Sequence, residues 1–275
     1  MSPEPAQVEP AGADPIGVLD TVGSAVRLDH RVLRDELWIV LFLSIAASAL
    51  RSVLSLVDSL TKNVPLSDQT AVIVGTYSAD RPWLDLTYQL TGIALALVPV
   101  LLVAHLLHRS GEGMRGIGFD ATQPRRDVVR GMVLAAAIGS GGLVLYIVAY
   151  RLGLSVKIAA ASTITIWWTV PVLLLQAAYN AVLEEVIVLG YMIHRLGQLG
   201  ARPWVAIGTS AALRGSYHLY QGFGGFVGNF VMGLVFGVLY RRWGRCTPMV
   251  VAHFLLDAVS FVGYFYLHGK VGWLP

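Results

Sequence analysis

The chain has 275 residues, 55% of them hydrophobic and only 13% charged, and its mean hydropathy is +0.64. A soluble domain carries about 25% charged residues, so a water-exposed globule is excluded, as is a disordered or collagen-like chain, which holds far fewer apolar residues. A polytopic membrane protein remains. Its net charge of +3 fits loop lysines and arginines that set topology rather than a nucleic-acid surface.

Residues 1–30 hold four of the twelve prolines (Pro3, Pro5, Pro10, Pro15) and no apolar run of helical length. They read as a disordered N-terminal tail, without the basic start and apolar core of a signal peptide. Residues 31–275 read as one transmembrane helical bundle with no repeat of fixed period. Seven apolar segments follow one another, roughly over 36–57, 86–107, 128–150, 164–194, 204–220, 224–240 and 248–268. At about 20 residues per span, seven spans use about half the chain.

Arg51 interrupts the first segment and receives no role. The fourth is long for one span, and Pro171 is expected to kink it or to end a lead-in turn. Trp167 and Trp168 open that segment as interfacial anchors. Gly224/Gly228 and Gly233/Gly237 in the sixth are small-xxx-small pairs, which let helices pack closely. Cys246 is the one cysteine. It excludes an internal disulfide and a Cys-based metal cluster, and reads as a free thiol without a role in a reducing cytosol.

The basic residues set the topology. With the N-terminus inside, thirteen lysines and arginines fall in inside segments and five outside, while Arg51 and Arg214 lie within spans. The positive-inside rule then favours N-in and C-out with an odd number of spans. The expected fold is an all-α, polytopic transmembrane bundle of about seven spans (six to eight), an integral multi-pass protein of the cell membrane.

Charge inside a bilayer is costly, so a buried ionisable residue is a functional candidate. Arg51, Glu184, Glu185, Arg214, His218, His253 and Asp257 lie in the spans, and all but Arg51 fall in the fourth, fifth and seventh segments. Arg214 and His218 are i, i+4, as are His253 and Asp257, so each pair shares a helix face. Adjacent Glu184 and Glu185 point about 100° apart on their helix. Two imidazoles and a carboxylate facing one another can ligate zinc, with His218, His253 and Glu184 as the candidate ligands. They can equally activate a water by general base catalysis. Either use is hydrolytic. No His-Glu-x-x-His run and no Gly-x-Ser-x-Gly elbow is present.

At these residues the sequence resembles the CPBP family of intramembrane endopeptidases, the CAAX prenyl proteases and bacteriocin-processing enzymes (Abi domain). That pattern is Glu-Glu-x-x-x-Arg on one helix, Phe-x-x-x-His on the next, and His-x-x-x-Asn or -Asp two helices later. The corresponding stretches here run from Glu184 to Leu189, from Arg214 to His218 and from His253 to Asp257. The resemblance covers roughly residues 165–262. It implies that Glu184 activates water with His218 alongside, that His253 and Asp257 orient the water or stabilise the oxyanion, and that Glu185 supports them. It further implies a peptide or prenylated-type substrate in the lipid bilayer. The mechanism is metal-dependent or glutamate-based.

Two positions depart from the pattern. Leu189 stands in place of the arginine, and Arg214 in place of the phenylalanine. The expectation drawn from both is a cation moved between adjacent helices, with Arg214 pairing Glu185 and leaving Glu184 free for chemistry. Counted at 1.5 Å per residue, Glu184 lies roughly 16 Å from Arg195 and His253 about 12 Å from Arg245, but His218 about 24 Å from Arg202. The first two fit a cut near the cytosolic half of the bilayer. A proton- or ion-coupled transporter and an inactive scaffold of the same fold are the competing readings. Against the transporter stands the lack of an inverted repeat and of paired broken helices; for the scaffold stands Leu189.

Overall fold

Apolar runs become helices here, and prolines open several of them, at positions whose missing N–H costs no helical bond. The computed structural model describes residues 29–161 and 166–270. Helix α1 (His30–Leu41), capped by the Asp29 carboxylate, continues through a π-helical turn (Phe42–Ala46) into α2 (Ala47–Thr61). Helices α3 (Pro82–Ala96) and α4 (Val98–Arg109) form the second crossing and α5 (Pro124–Arg151) the third. Helix α6 (Thr169–Glu184) runs through a π-helical segment (Glu185–Tyr191) into α7 (Met192–Gln198). Then come α8 (Pro203–Ser216), α9 (Phe223–Trp243) and α10 (Thr247–Leu267).

Among the described residues, six helices are long and apolar enough to cross a membrane: His30–Thr61, Pro82–Arg109, Pro124–Arg151, Thr169–Gln198, Phe223–Trp243 and Thr247–Leu267. The protein is an all-α, multi-pass membrane bundle. The segment expected over 204–220 is realised differently. Helix α8 has only 14 residues, about 21 Å of rise, and gives way to Tyr217, His218 and a 3₁₀ turn (Leu219–Gln221). Its irregular end is tolerated because protein, not lipid, meets its polar groups. Tyr220 N–H donates to Ser52 Oγ at 2.7 Å, and Val156 N–H to the Gln221 carbonyl at 3.3 Å.

The connections still alternate between two ends. One end joins Glu112 to Arg195 and Cys246 N–H to the Gly118 carbonyl. The other holds a short parallel pair absent from the sequence reading, β1 (Thr70–Val72) with β2 (Lys157–Ala159), and the Trp83–Trp168 ring contact. Pro171 sits in the first turn of α6, directly after the turn at Trp167 and Trp168, in keeping with the lead-in turn rather than a mid-helix position. The tail expected over 1–30 lies outside the described residues up to residue 28, and His30 already begins a helix. Residues 162–165 and 271–275, within the expected bundle, also lie outside them.

The 169–198 helix is the hub. Over half of its apolar window is buried, against 28% or less in every other spanning helix. One apolar cluster packs Val40, Val103 and Leu107 onto Val186 and Ile187; another packs Ile207, Phe236 and Met249 onto Leu189. Gly233 and Gly237 of α9 meet α8 closely. A Cβ on them would stand 2.9 Å from Ala211 Cα and 2.7 Å from Ile207 Cγ2.

Candidate active site

The site forms where the π-helical segment of the hub meets α8 and α10. A π turn carries i→i+5 bonds and often marks a functional position. Here three of the segment's carbonyls accept from side chains of other elements. Cys246 Sγ–H donates to Glu185 O at 3.1 Å, Ser210 Oγ–H to Val188 O at 2.6 Å, and Tyr240 O–H to Gly190 O at 3.4 Å. Cys246, read from the sequence as a thiol without a role, is buried and holds the backbone of a site residue.

Glu185 is fully buried, and one oxygen serves two partners. Glu185 Oε1 accepts from Arg214 Nη2 at 2.6 Å and from His253 Nδ1 at 2.7 Å. Arg214 is itself only 1% exposed and stacks over Phe236, 5.7 Å from the ring centroid. The pairing expected from the two motif departures is therefore present. Leu189 packs in the apolar cluster with Ile193, Ile207 and Phe236.

Glu184 is placed differently. Its Oε2 accepts from Tyr217 O–H at 2.6 Å and lies 3.8 Å from Arg214 Nη1, and 13% of its side chain stays accessible. His218 donates Nδ1–H to the Arg214 carbonyl at 3.0 Å, a bond that leaves Nε2 as the open nitrogen of a neutral ring. His253 Nε2 lies 3.7 Å from Asp257 Oδ2, and Asp257 Oδ2 accepts from Asn180 Nδ2 at 3.3 Å. A cavity of about 1000 Å³ opens among α5, α9 and α10, with His218, His253 and Asp257 in its wall beside Gly139, Gly228 and Leu256.

The structure thus gathers Glu184, Glu185, Arg214, His218, His253 and Asp257 into one cluster. Sequence reasoning missed Tyr217 and Asn180. Both had a signal: Asn180 lies one turn before Glu184 on the same helix face, and Tyr217 immediately precedes His218. Among the described residues no group of three or more His, Cys, Asp or Glu side chains is disposed to hold a metal ion.

No curated protein and no solved structure matches the chain. Residues 166–259 do match a family model, described as Type II CAAX prenyl endopeptidase Rce1-like. Every side chain of the cluster falls within that stretch, so the resemblance read from the three motifs is borne out, and over these residues the chain is similar to the CAAX proteases.

Proposed function

We propose that this protein is a CAAX-type intramembrane endopeptidase that hydrolyses a peptide bond of a membrane-associated or prenylated-type peptide in the cell membrane. One observation carries the reading. Two adjacent carboxylates differ in their surroundings: Glu185 is consumed by Arg214 and His253, while Glu184 accepts from Tyr217 and keeps 13% of its side chain accessible.

In the proposed reaction Glu184, with His218 alongside, takes a proton from water as the water oxygen attacks the peptide carbonyl carbon. The carbonyl π electrons move to oxygen, and His253 and Asp257 orient the water or stabilise that oxyanion. Collapse of the tetrahedral intermediate breaks the C–N bond. The proton held on Glu184 passes to the leaving nitrogen, giving a carboxylate and an amine. Glu185 acts through His253, whose ring it orients, and is a positioning residue. The proposed reaction is the glutamate-based one; what supports it is that no group of three or more His, Cys, Asp or Glu side chains among the described residues is disposed to hold an ion.

Purified protein incubated with a membrane-peptide library tests this. The wild type is expected to cleave with or without chelator. Glu184→Gln should insert and fold but lose essentially all hydrolysis, as should His218→Ala and His253→Ala. Near-normal cleavage by Glu184→Gln ends the proposal, and loss of wild-type activity on chelation with recovery on added zinc ends its metal-free form.

A further inference from the structure

One oxygen of Glu184 has two donors beside it. Tyr217 O–H donates to Glu184 Oε2 at 2.6 Å, and Arg214 Nη1 stands 3.8 Å from the same atom. Both donors come from the C-terminal end of α8, where positions three apart are neighbours. Arg214 spends Nη2 on Glu185 Oε1, at 2.6 Å. Its Nη1 is buried and, among the described residues, has no hydrogen-bond partner. A buried donor left unsatisfied is costly, and a guanidinium holds carboxylates best with both arms of its fork. Glu184 Oε2 lies within reach of the idle arm. A shift of about 1 Å would bring it from 3.8 Å to about 2.8 Å, the usual length of a charged pair.

Capture by Arg214 would make Glu184 a second structural carboxylate, tied like Glu185. The tyrosine stands in the way. Its ring is buried against Ile45, in the π turn between α1 and α2, and against Val188 of the hub. The hydroxyl is therefore aimed by apolar packing that is independent of the charges. As a neutral donor it satisfies Oε2 without pulling the carboxylate toward the guanidinium. We propose that Tyr217 is a positioning residue: by occupying Oε2 it holds Glu184 off the second arm of Arg214 and leaves Oε1 to take the proton from water. The proposal rests on the peptidase reading above, in which Glu184 is the base.

Tyr217→Phe keeps the ring in its apolar slot and removes only the hydroxyl. A misplacement of about 1 Å can cost about a hundredfold in rate. For a cleaved membrane peptide kcat should fall by about that factor with KM nearly unchanged, since the group lost acts on the base and not on the bound peptide. Unfolding midpoints in detergent read the same event without turnover. If Glu184 joins Arg214 once the hydroxyl is gone, Glu184→Gln breaks a buried ion pair in the Tyr217→Phe protein. It should then lower the midpoint by several degrees more in that protein than in the wild type. If Tyr217 were only a contact of Glu184, losing the hydroxyl would strand a buried carboxylate, and Glu184→Gln would relieve that cost and raise the midpoint. An equal or smaller loss in the Tyr217→Phe protein, or any gain there, overturns the proposal. So does a Tyr217→Phe protein that cleaves at the wild-type kcat, or one whose defect lies in KM alone. A wild type that cleaves no peptide, with the midpoint difference intact, removes the peptidase reading and leaves the restraint of Glu184 by Tyr217 standing.

Discussion

Arg214 Nη2 and His253 Nδ1 converge on a single oxygen of Glu185, at 2.6 and 2.7 Å. An ion pair with both partners buried is weak as a source of stability, but removing one partner strands the other charge at about 3–5 kcal/mol. Arg214→Phe restores the family's residue at that position and is nevertheless expected to destabilise the fold by about that amount and to abolish hydrolysis. Arg214→Phe combined with Leu189→Arg should recover much of both, because the cation then returns one turn from the glutamates. Thermal unfolding in detergent and peptide cleavage measured together decide this; a double variant no better than the single rejects relocation of the charge. At this scale the sequence was legible. Two unpaired carboxylates in a bilayer demand a cation, and Arg214 was the one arginine placed to reach them.

The elements tell a different story, since the regular helices follow apolar length while the irregular ones follow contacts. A π segment inserts extra backbone into a helix without any composition signal, and its carbonyls here are met by Cys246, Ser210 and Tyr240. Helix α8 stops after 14 residues and the turn that follows bonds to α2, while α9 closes against its middle at Gly233 and Gly237. Close approach is what the small-xxx-small pattern predicts. Gly237→Val would drive methyl groups into Ile207, and the expected cost is about 1–3 kcal/mol. Adding Ile207→Ala should return part of that stability. Unfolding midpoints of the two variants and the pair provide the check; no recovery in the pair would place the strain elsewhere.

Across the whole molecule, arginines that the topology count treats as loop charges turn out to bind one end of the bundle together. Arg195 is fully buried and donates to Glu112 Oε1 at 2.8 Å, Gln198 Oε1 at 2.7 Å and Ser110 Oγ at 3.1 Å. Arg245 donates to Asp127 Oδ2 at 2.6 Å and Asp120 Oδ1 at 2.9 Å, and this holds the Asp120 carboxyl well below the usual carboxylate range. For Glu112 burial works to raise the pKa, but hydrogen bonds from Gln198 and His194 and the His194 charge prevail and bring it from 4.5 down to about 2. A depressed folded-state pKa means that the carboxylate stabilises the fold fully above the unfolded value. That contribution is lost as pH falls from about 4.5 toward about 2. The unfolding midpoint of the wild type should therefore exceed that of Glu112→Gln at pH 7, with the gap closing through this acid window. A gap independent of pH would show that Glu112 acts through packing alone.

The sequence by itself determined the membrane class, most of the crossings, the order of the three motifs and the Arg214–Glu185 pairing. These depend on composition, on i, i+4 spacing and on the cost of an unpaired buried charge, all of which act locally or through a single obligatory partner. The tertiary structure alone decided the π turn at Glu185–Tyr191, the shortened α8, and the recruitment of Tyr217, Asn180 and Cys246. It also turned Arg195 and Arg245 from topology markers into buried clamps. These outcomes join residues as far apart in sequence as Glu185 and His253 or Asp127 and Arg245, separated by 68 and 118 positions. A contact over such separations is set by how whole helices pack, and packing distance leaves no trace in a local pattern of apolar and polar residues.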